Sequence, residues 1–373
     1  MNRTVVFVAN RGYALLSSRK SIITQFLQAD WKVVIATADD DESRELVDLG
    51  AILEPTLFNR GGLSLFSDLS AYKRLKAVYK KWRPSLIHHF HAKPVIAGTI
   101  AAKNVLGDAT VVVNTITGLG HAFIMGGVIS HLAGLGYRFS LPAADMTIFQ
   151  NRDDLALFLK NSWVRERNSK LIVGSGIDVR NFSFSGREGR DALSPVVIML
   201  GRLLGQKGIG EFVKVAGAIK ERWPKARFLL AGEEDLAHPD SVTAEWVRGH
   251  KCVEYQGRLD DVAPLLQVAD ILLFPSYREG VPRAVMEAAA TGLPTVAYCV
   301  PGVKEAVAND QTGYLVPFGN IDELIAKTSR LIMDQNERLT MGRAARDLAV
   351  RYFDINVIEE SYLGVYREQG VDI

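Results

Sequence analysis

Two stretches of the chain carry residue types whose spacing could do chemistry. GRLLGQKG at 201–208 places a guanidinium, Arg202, and an ammonium, Lys207, among glycines. The combination suits a diphosphate: Arg202 can fork two oxygens, Lys207 supplies a mobile point charge, and Gly201 and its fellow glycines let the backbone come close. It is not a Walker P-loop, because Gln206 stands where the second glycine before the lysine belongs and Gly208 replaces the Ser/Thr. The second stretch, SYREGVPRAVMEAAATGLPTV at 276–296, reads as a helix with Pro282 as its first residue, ended by Gly292 and Pro294. Unpaired N–H groups at such a helix start make an anion site by geometry and dipole. Glu279 lies just ahead of that start and Glu287 lies within the helix. A carboxylate accepts from two neighbouring hydroxyls, so the pair suits a ribose on one side and a hexose on the other. A glycine-rich turn or an exposed helix face would explain either stretch alone, but not the proline, the glycines and the two cations together.

Elements that could position these residues are legible as apolar runs. TVVFVA (4–9), KVVIAT (32–37), SLIHHF (85–90), TVVVNT (110–115), MTIFQN (146–151) and KLIVGS (170–175) are apolar on both faces and separated by helix-length segments. That implies crossover connections and a parallel sheet. The pattern restarts with PVVIMLG (195–201), ARFLLAG (226–232), VEYQG (253–257), DILLFPS (270–276), TVAYC (295–299) and GYLVP (313–317). The expected fold is therefore α/β, with two Rossmann-like doubly wound domains facing a central cleft and ligand sites at the carboxyl ends of the strands. The expected domains are 1–180 and 190–354, joined through a polar seam near 178–194. Ile355, Ile358, Tyr362, Val365 and Tyr366 have helical spacing, so residues of about 355–373 should form a closing helix that packs back on the first domain.

The 373 residues, 48% hydrophobic, are enough for two cores and exclude a disulfide scaffold, a peptide or a disordered regulator. A net charge of +2 gives no argument for nucleic acid, and no nucleic-acid partner is expected. The charge is uneven, however: residues 1–186 hold 22 Lys and Arg against 15 Asp and Glu, and the remainder 22 against 27. The first half is thus biased toward anionic partners. Cys252 and Cys299 alone form neither a disulfide framework nor a metal site, which points to a reducing compartment. The run Thr4–Ala9 is interrupted by Asn10-Arg11-Gly12 before a signal-peptide core could form, and no window is long and apolar enough to span a bilayer. A dehydrogenase reading fails, since neither first strand is followed by G-x-G-x-x-G.

GRLLGQKG, GRLDDV (257–262), FPSYREGVPRAVMEAAATGLPTVA (274–297), PGVKEAV (301–307) and GYLVP occur in the order and spacing of the retaining GT-B glycosyltransferases of family 4, which the chain resembles over nearly its whole length. HHFHAKP (88–94), NTITGLG (114–120) and FQNRDD (149–154) resemble the branch that extends saccharides carried on a polyprenyl diphosphate for capsule, O-antigen or glycan assembly. The resemblance implies a metal-independent transferase of a hexose or N-acetylhexosamine, using a nucleotide sugar, UDP-linked by expectation, and no cofactor. By the same resemblance Arg202 and Lys207 hold the nucleotide diphosphate and Glu287 the ribose. Glu279 with Gly280, Val281 and Pro282 holds the donor sugar and distal phosphate, and the stretch around Arg258 and Leu259 meets the base. A GDP-sugar transferase or a sugar-nucleotide epimerase of the same fold is the nearest alternative. A non-catalytic sugar-nucleotide-binding regulator is the alternative of another class.

Where many family members carry an acceptor-side histidine, this chain reads Thr117 followed by Gly118, so no catalytic histidine is transferred there. His91 and His121 are the nearby candidates for the acceptor side. His88, His89 and His91 do not make a metal site, since consecutive strand residues face opposite sides. Asp39-Asp40-Asp41 follows a strand and could be read as a metal-holding D-x-D, but the cations and helix start above already neutralise a diphosphate, and a solvated loop is preferred. Asp153-Asp154 and Asp260-Asp261 read as helix-entry residues. Finally, AYKRLKAVYKKWR (71–83) sets Tyr72, Leu75, Tyr79 and Trp82 near one helical face with six cations around the rest. Such a helix packs as a crossover and can also lie on anionic lipid. Residues 121–141, apolar and glycine-rich, suit a lipid-facing or acceptor-covering segment. The expected location is cytoplasmic, peripheral on the inner face of the membrane.

Overall fold

The computed structural model describes residues 2–58, 65–119, 127–184 and 194–373. Two compact units emerge, Met1–Gly174 with Ile358–Ile373, and Ser175–Val357. The first contains β1 (Thr4–Val8), α1 (Gly12–Gln28), β2 (Lys32–Thr37), α2 (Asp41–Asp48), β3 (Ile52–Pro55), α3 (Leu65–Trp82), β4 (Leu86–Phe90), α4 (Ala92–Leu106), β5 (Val111–Ile116), α5 (Gly127–Ser140), β6 (Met146–Phe149), α6 (Arg152–Lys160) and β7 (Ser169–Leu171). Its strands form one parallel sheet in the order β3-β2-β1-β4-β5-β6-β7. β3 was not expected from the sequence; it is a four-residue edge strand, Ile52–Pro55, in which a glutamate and a proline interrupt the apolar run.

Because both faces of this sheet are covered, β1 and β4 are buried along their whole length. Alternate residues feed different cores: Val5 and Phe7 join Phe26 of α1, whereas Val6 and Val8 join Leu75 and Tyr79 of α3. The same alternation separates two adjacent histidines. His88 places Nδ1 2.6 Å from the Tyr366 hydroxyl and Nε2 2.7 Å from Thr115 Oγ1, while His89 bonds Asn114 Oδ1 at 2.8 Å and Tyr79 at 2.7 Å on the other face. Tyr366 belongs to α14 (Ile355–Glu368), whose residues from Ile358 onward are part of the first unit. Tyr362 of that helix accepts a hydrogen bond from the buried Arg19, and Glu359 accepts one from Ser21.

Burial lowers the pKa of both rings, His89 to about 4 and His88 well below the ordinary 6.5. The unfolded chain therefore takes up protons first, and stability present above about pH 6.5 is lost as pH falls toward 4. At pH 5 the expected loss from His89 is roughly 2 kcal/mol, and His88 acts in the same direction. Urea unfolding followed at pH 7 and pH 5 checks this, and equal midpoints would contradict it.

The second unit contains β8 (Val196–Leu200), α7 (Ile209–Arg222), β9 (Arg227–Ala231), α8 (Ala244–Arg248), β10 (Glu254–Gly257), α9 (Ala263–Val268), β11 (Ile271–Phe274), α10 (Arg283–Ala290), β12 (Thr295–Tyr298), α11 (Val303–Ala306), β13 (Gly313–Val316), α12 (Ile321–Met333) and α13 (Gln335–Tyr352). Its parallel sheet runs β10-β9-β8-β11-β12-β13. Segment 178–184, the described part of the sequence seam on the N-terminal side, is tied into this unit. Arg346 of α13 donates to the carbonyls of Val179 and Phe182 and to that of Ala290, the last residue of α10.

Candidate functional site

In the second sheet β8 and β11 are neighbours, although the chain leaves them toward opposite edges. Ligands of open α/β sheets collect beyond the carboxyl ends of strands at such a switch point. β8 ends at Leu200 and runs into Gly201-Arg202; β11 ends at Phe274 and runs into Pro275–Pro282. Strand order thus brings together the two stretches that the sequence keeps far apart. Gly208, the residue before α7, has φ +82° and lies so close to Pro275 that an added Cβ would run into the Pro275 carbonyl. Gly302, at φ +81°, stands in the same relation to the carbonyls of Glu279 and Gly280. Only glycine fits these two joints.

Side chains from both loops meet. Lys207 Nζ lies 2.6 Å from Glu279 Oε1, and Ser276 Oγ donates to that same oxygen at 2.7 Å. The lysine is only 20% exposed in its side chain, so its charge is weakly screened. Arg202, 46% exposed, pairs with Asp235 at 2.7 Å. Arg258 and Leu259 follow the edge strand β10, and Arg258 approaches Glu233 at 3.4 Å and Asp260 at 3.6 Å. Glu287 is buried on α10, and burial raises its pKa against the opposing pull of Arg283, 2.6 Å away. Every candidate cation is thereby held by an acid, and a phosphate entering here would meet positioned charges.

α10 begins at Arg283, and Pro282 is its N-cap with extended ψ of 122° rather than its first helical residue. Neither α7 nor α10 has a side-chain cap at its N-terminus, whereas α2, α6, α12 and α13 are capped by Asp40, Asn151, Asn320 and Asp334. Val281 and Pro282 are buried and Gly280 is half-buried, so this turn presents backbone more than side chain. Sequence reasoning did not single out Ser276, Arg283, Asp235 or Asp240, whose carboxylate accepts from the Gln206 N–H at 2.6 Å. The run Glu233-Glu234-Asp235 directly after a strand was the available signal.

In the first unit, β4 pairs with β5, with Phe90 beside Thr115. His91 and Thr117-Gly118 follow these strands and so lie at one sheet edge. His91 has φ +72°, a strained backbone for a side chain of this size. Burial lowers its pKa to about 4, with the Phe90 backbone partly opposing, which suits the neutral ring to hydrogen bonding rather than proton abstraction. His121 lies outside the described residues. Asp40 is a structural group rather than part of a solvated loop: it caps α2 through the Ser43 N–H at 2.9 Å and accepts from Gly12 N–H at 3.1 Å. Asp153 and Asp154 stand in the first turn of α6, and Asp261 accepts from Ala263 at the start of α9. Among the described residues, no three His, Cys, Asp or Glu side chains gather as a metal-binding group.

The buried face of α3 is Ala71, Leu75, Val78 and Tyr79; Tyr72 and Trp82 are half-buried at its margins. Buried Glu54 accepts from Arg74, Lys81 and Trp82 Nε1, which pairs two of the helix's cations while leaving them exposed. α5 fits its glycines against bulky neighbours, Gly134 under Trp163 and Gly136 against Ile96, and turns Leu132 and Phe139 outward, the latter 73% exposed. Among the described residues no helix is long and apolar enough to cross a membrane.

Two doubly wound units, one with a cation-and-carboxylate edge at its switch point, make up the GT-B fold. Residues 4–151 match the family model "Glycosyl transferase 4-like" and residues 194–334 match "Glycosyl transferases group 1", and the chain belongs to this glycosyltransferase family. It is 29% identical over 374 residues to N,N'-diacetylbacillosaminyl-diphospho-undecaprenol alpha-1,3-N-acetylgalactosaminyltransferase of Campylobacter jejuni, covering 96% of this chain and 97% of that protein. It is 26% identical to UDP-Gal:alpha-D-GlcNAc-diphosphoundecaprenol alpha-1,3-galactosyltransferase of Escherichia coli, covering 82% and 80%. Among solved structures it resembles sucrose-phosphate synthase of Thermosynechococcus elongatus (TM-score 0.79, 18% identity, 98% of both chains). It also resembles Anabaena HepE in complex with UDP-glucose (TM-score 0.76, 18% identity, 98% and 99%).

Proposed function

We propose that the chain is a retaining, metal-independent transferase that moves a hexose or N-acetylhexosamine from a UDP-sugar to a saccharide carried by a polyprenyl diphosphate. The observation that carries this reading is the meeting of Lys207 and Glu279 across the switch point of the second unit. Lys207, Arg202 and the uncapped start of α10 would bind the donor diphosphate, with Gly201 and Gly280–Pro282 giving backbone access. Glu279 would hold hydroxyls of the donor sugar, Glu287 the ribose, and Arg258 with Leu259 the base. In the transfer, the bond from the anomeric carbon to the diphosphate breaks and the acceptor oxygen bonds that carbon on the same face. The acceptor proton passes to the departing phosphate. The protein's share is charge stabilisation and orientation. His91, Thr117, Gly118 and His121 are the acceptor-side candidates, and the diphosphoundecaprenol in both relatives' names supports that class of acceptor.

A single assay tests the reading: nucleoside diphosphate release from a panel of UDP- and GDP-sugars, with and without a polyprenyl-diphosphate saccharide, in excess EDTA. Release that requires the lipid acceptor and survives the chelator is expected. Loss in EDTA with recovery on adding Mn²⁺ or Mg²⁺ would overturn metal independence, and turnover of GDP-sugars alone would overturn the donor.

The proposed reading includes contact with an anionic membrane surface. With the apolar face of α3 packed in the core, Lys73, Lys76 and Lys80 would act there by charge alone. Reversing these three to Glu is expected to weaken binding to anionic vesicles and to flatten its salt dependence, at about 1 kcal/mol per charge. Vesicle sedimentation checks this, with parental binding by the triple variant counting against it.

A further inference from the structure

We propose that Ser276 is a positioning residue for Glu279 and fixes the orientation of its carboxylate, so that one oxygen is left to face the donor sugar; the inference rests on the donor-site reading above. Ser276 follows β11 after Pro275 and is fully buried. Its hydroxyl donates to Glu279 Oε1, the same oxygen that accepts from Lys207 Nζ. Among the described residues no donor reaches Oε2. The last torsion of a glutamate is broad and its two oxygens are chemically equivalent. Two donors on one oxygen remove that equivalence, so Oε1 is engaged by the protein and Oε2 keeps its capacity for a ligand hydroxyl.

The backbone around the pair is fixed as well. Tyr277 N–H donates to the Gln206 carbonyl at 2.9 Å, and Glu279 N–H to the Pro301 carbonyl at 3.1 Å. These contacts set where the Glu279 side chain starts; the serine sets how it ends. Lys207 is the poorer anchor of the two. It sits on a flexible four-carbon stem, and in the proposed reaction its charge is directed to the diphosphate. Ser276 has one rotor on buried backbone, and its hydrogen bond to an ionised acceptor belongs to the stronger class.

The test is a double-mutant cycle with Ser276→Ala, Glu279→Gln and both together, read as kcat/KM for UDP-N-acetylgalactosamine, or whichever UDP-sugar the panel identifies, and as affinity for UDP, which has no sugar. Ser276→Ala is expected to lower kcat/KM by about 10- to 100-fold, as for loss of a hydrogen bond to a charged group. It should leave UDP affinity within about twofold, and the loss should shrink to about twofold or less in the Glu279→Gln background. An equal loss in both backgrounds, or a matching loss of UDP affinity, would show that Ser276 only supports the fold and would overturn the proposal. Parental turnover by Glu279→Gln itself would instead remove the donor-site reading, and the proposal with it.

Discussion

Lys207→Ala is expected to lower kcat by about 10²–10³, comparable to removing one oxyanion-hole donor, with a smaller change in donor affinity. The reason lies in when the charge is needed. Negative charge grows on the departing diphosphate as the glycosidic bond lengthens, so a cation beside it stabilises the transition state more than the bound donor. Lys207 is largely buried, and its field is screened less than that of Arg202, whose side chain is nearly half exposed and held by Asp235. The same substitution at Arg202 should therefore cost less. Folding should survive Lys207→Ala, because Glu279 keeps the Ser276 hydrogen bond. Steady-state kinetics with purified variants, alongside thermal unfolding, decide it; a folded Lys207→Ala enzyme with parental kcat would remove the assignment.

Much of the fold is legible because a parallel sheet covered on both faces writes its strands as apolar runs. The twelve runs correspond to β1, β2 and β4–β13, within a residue or two at each end except at β7, which stops at Leu171, four residues before the end of the run 170–175. β3 escaped because Glu54 and Pro55 interrupt its apolar run, whereas equally short strands such as β11 and β12 are apolar throughout or nearly so. The opposite directions of His88 and His89 followed from the two-residue period of a strand, and their partners lie on opposite faces. For α3 the helical period was right but the centre of the buried face was not. Trp82 turns its Nε1 to Glu54, a residue of the unrecognised strand, while Ala71 and Val78 fill the core. The cations and carboxylates at 201–208 and 276–287 were visible by type. Their pairing was not, because it depends on strand order, which brings β8 beside β11, and on acids placed after β9 by a loop without period.

Gly208→Ala should lower donor turnover by about 10²-fold or more, although it adds one methyl group to a residue that bears no functional side chain. Gly208 has left-handed backbone, which costs other residues roughly 1–2 kcal/mol. The larger effect is steric. The new Cβ would overlap the carbonyl of Pro275, a backbone atom that no rotamer change can move aside. Relief requires the start of α7 and the loop Pro275–Pro282 to separate, and that separation pulls Lys207 from Glu279. Gly217→Ala is the matched control. It lies inside α7 with open space around its added Cβ, and alanine there should be neutral or stabilising by about 0.5–1 kcal/mol, since glycine is the weaker helix former. UDP affinity and turnover of the two variants distinguish a joint between two loops from a general intolerance of the helix. Parental UDP affinity in Gly208→Ala would mean that the two loops need not touch for the diphosphate to bind.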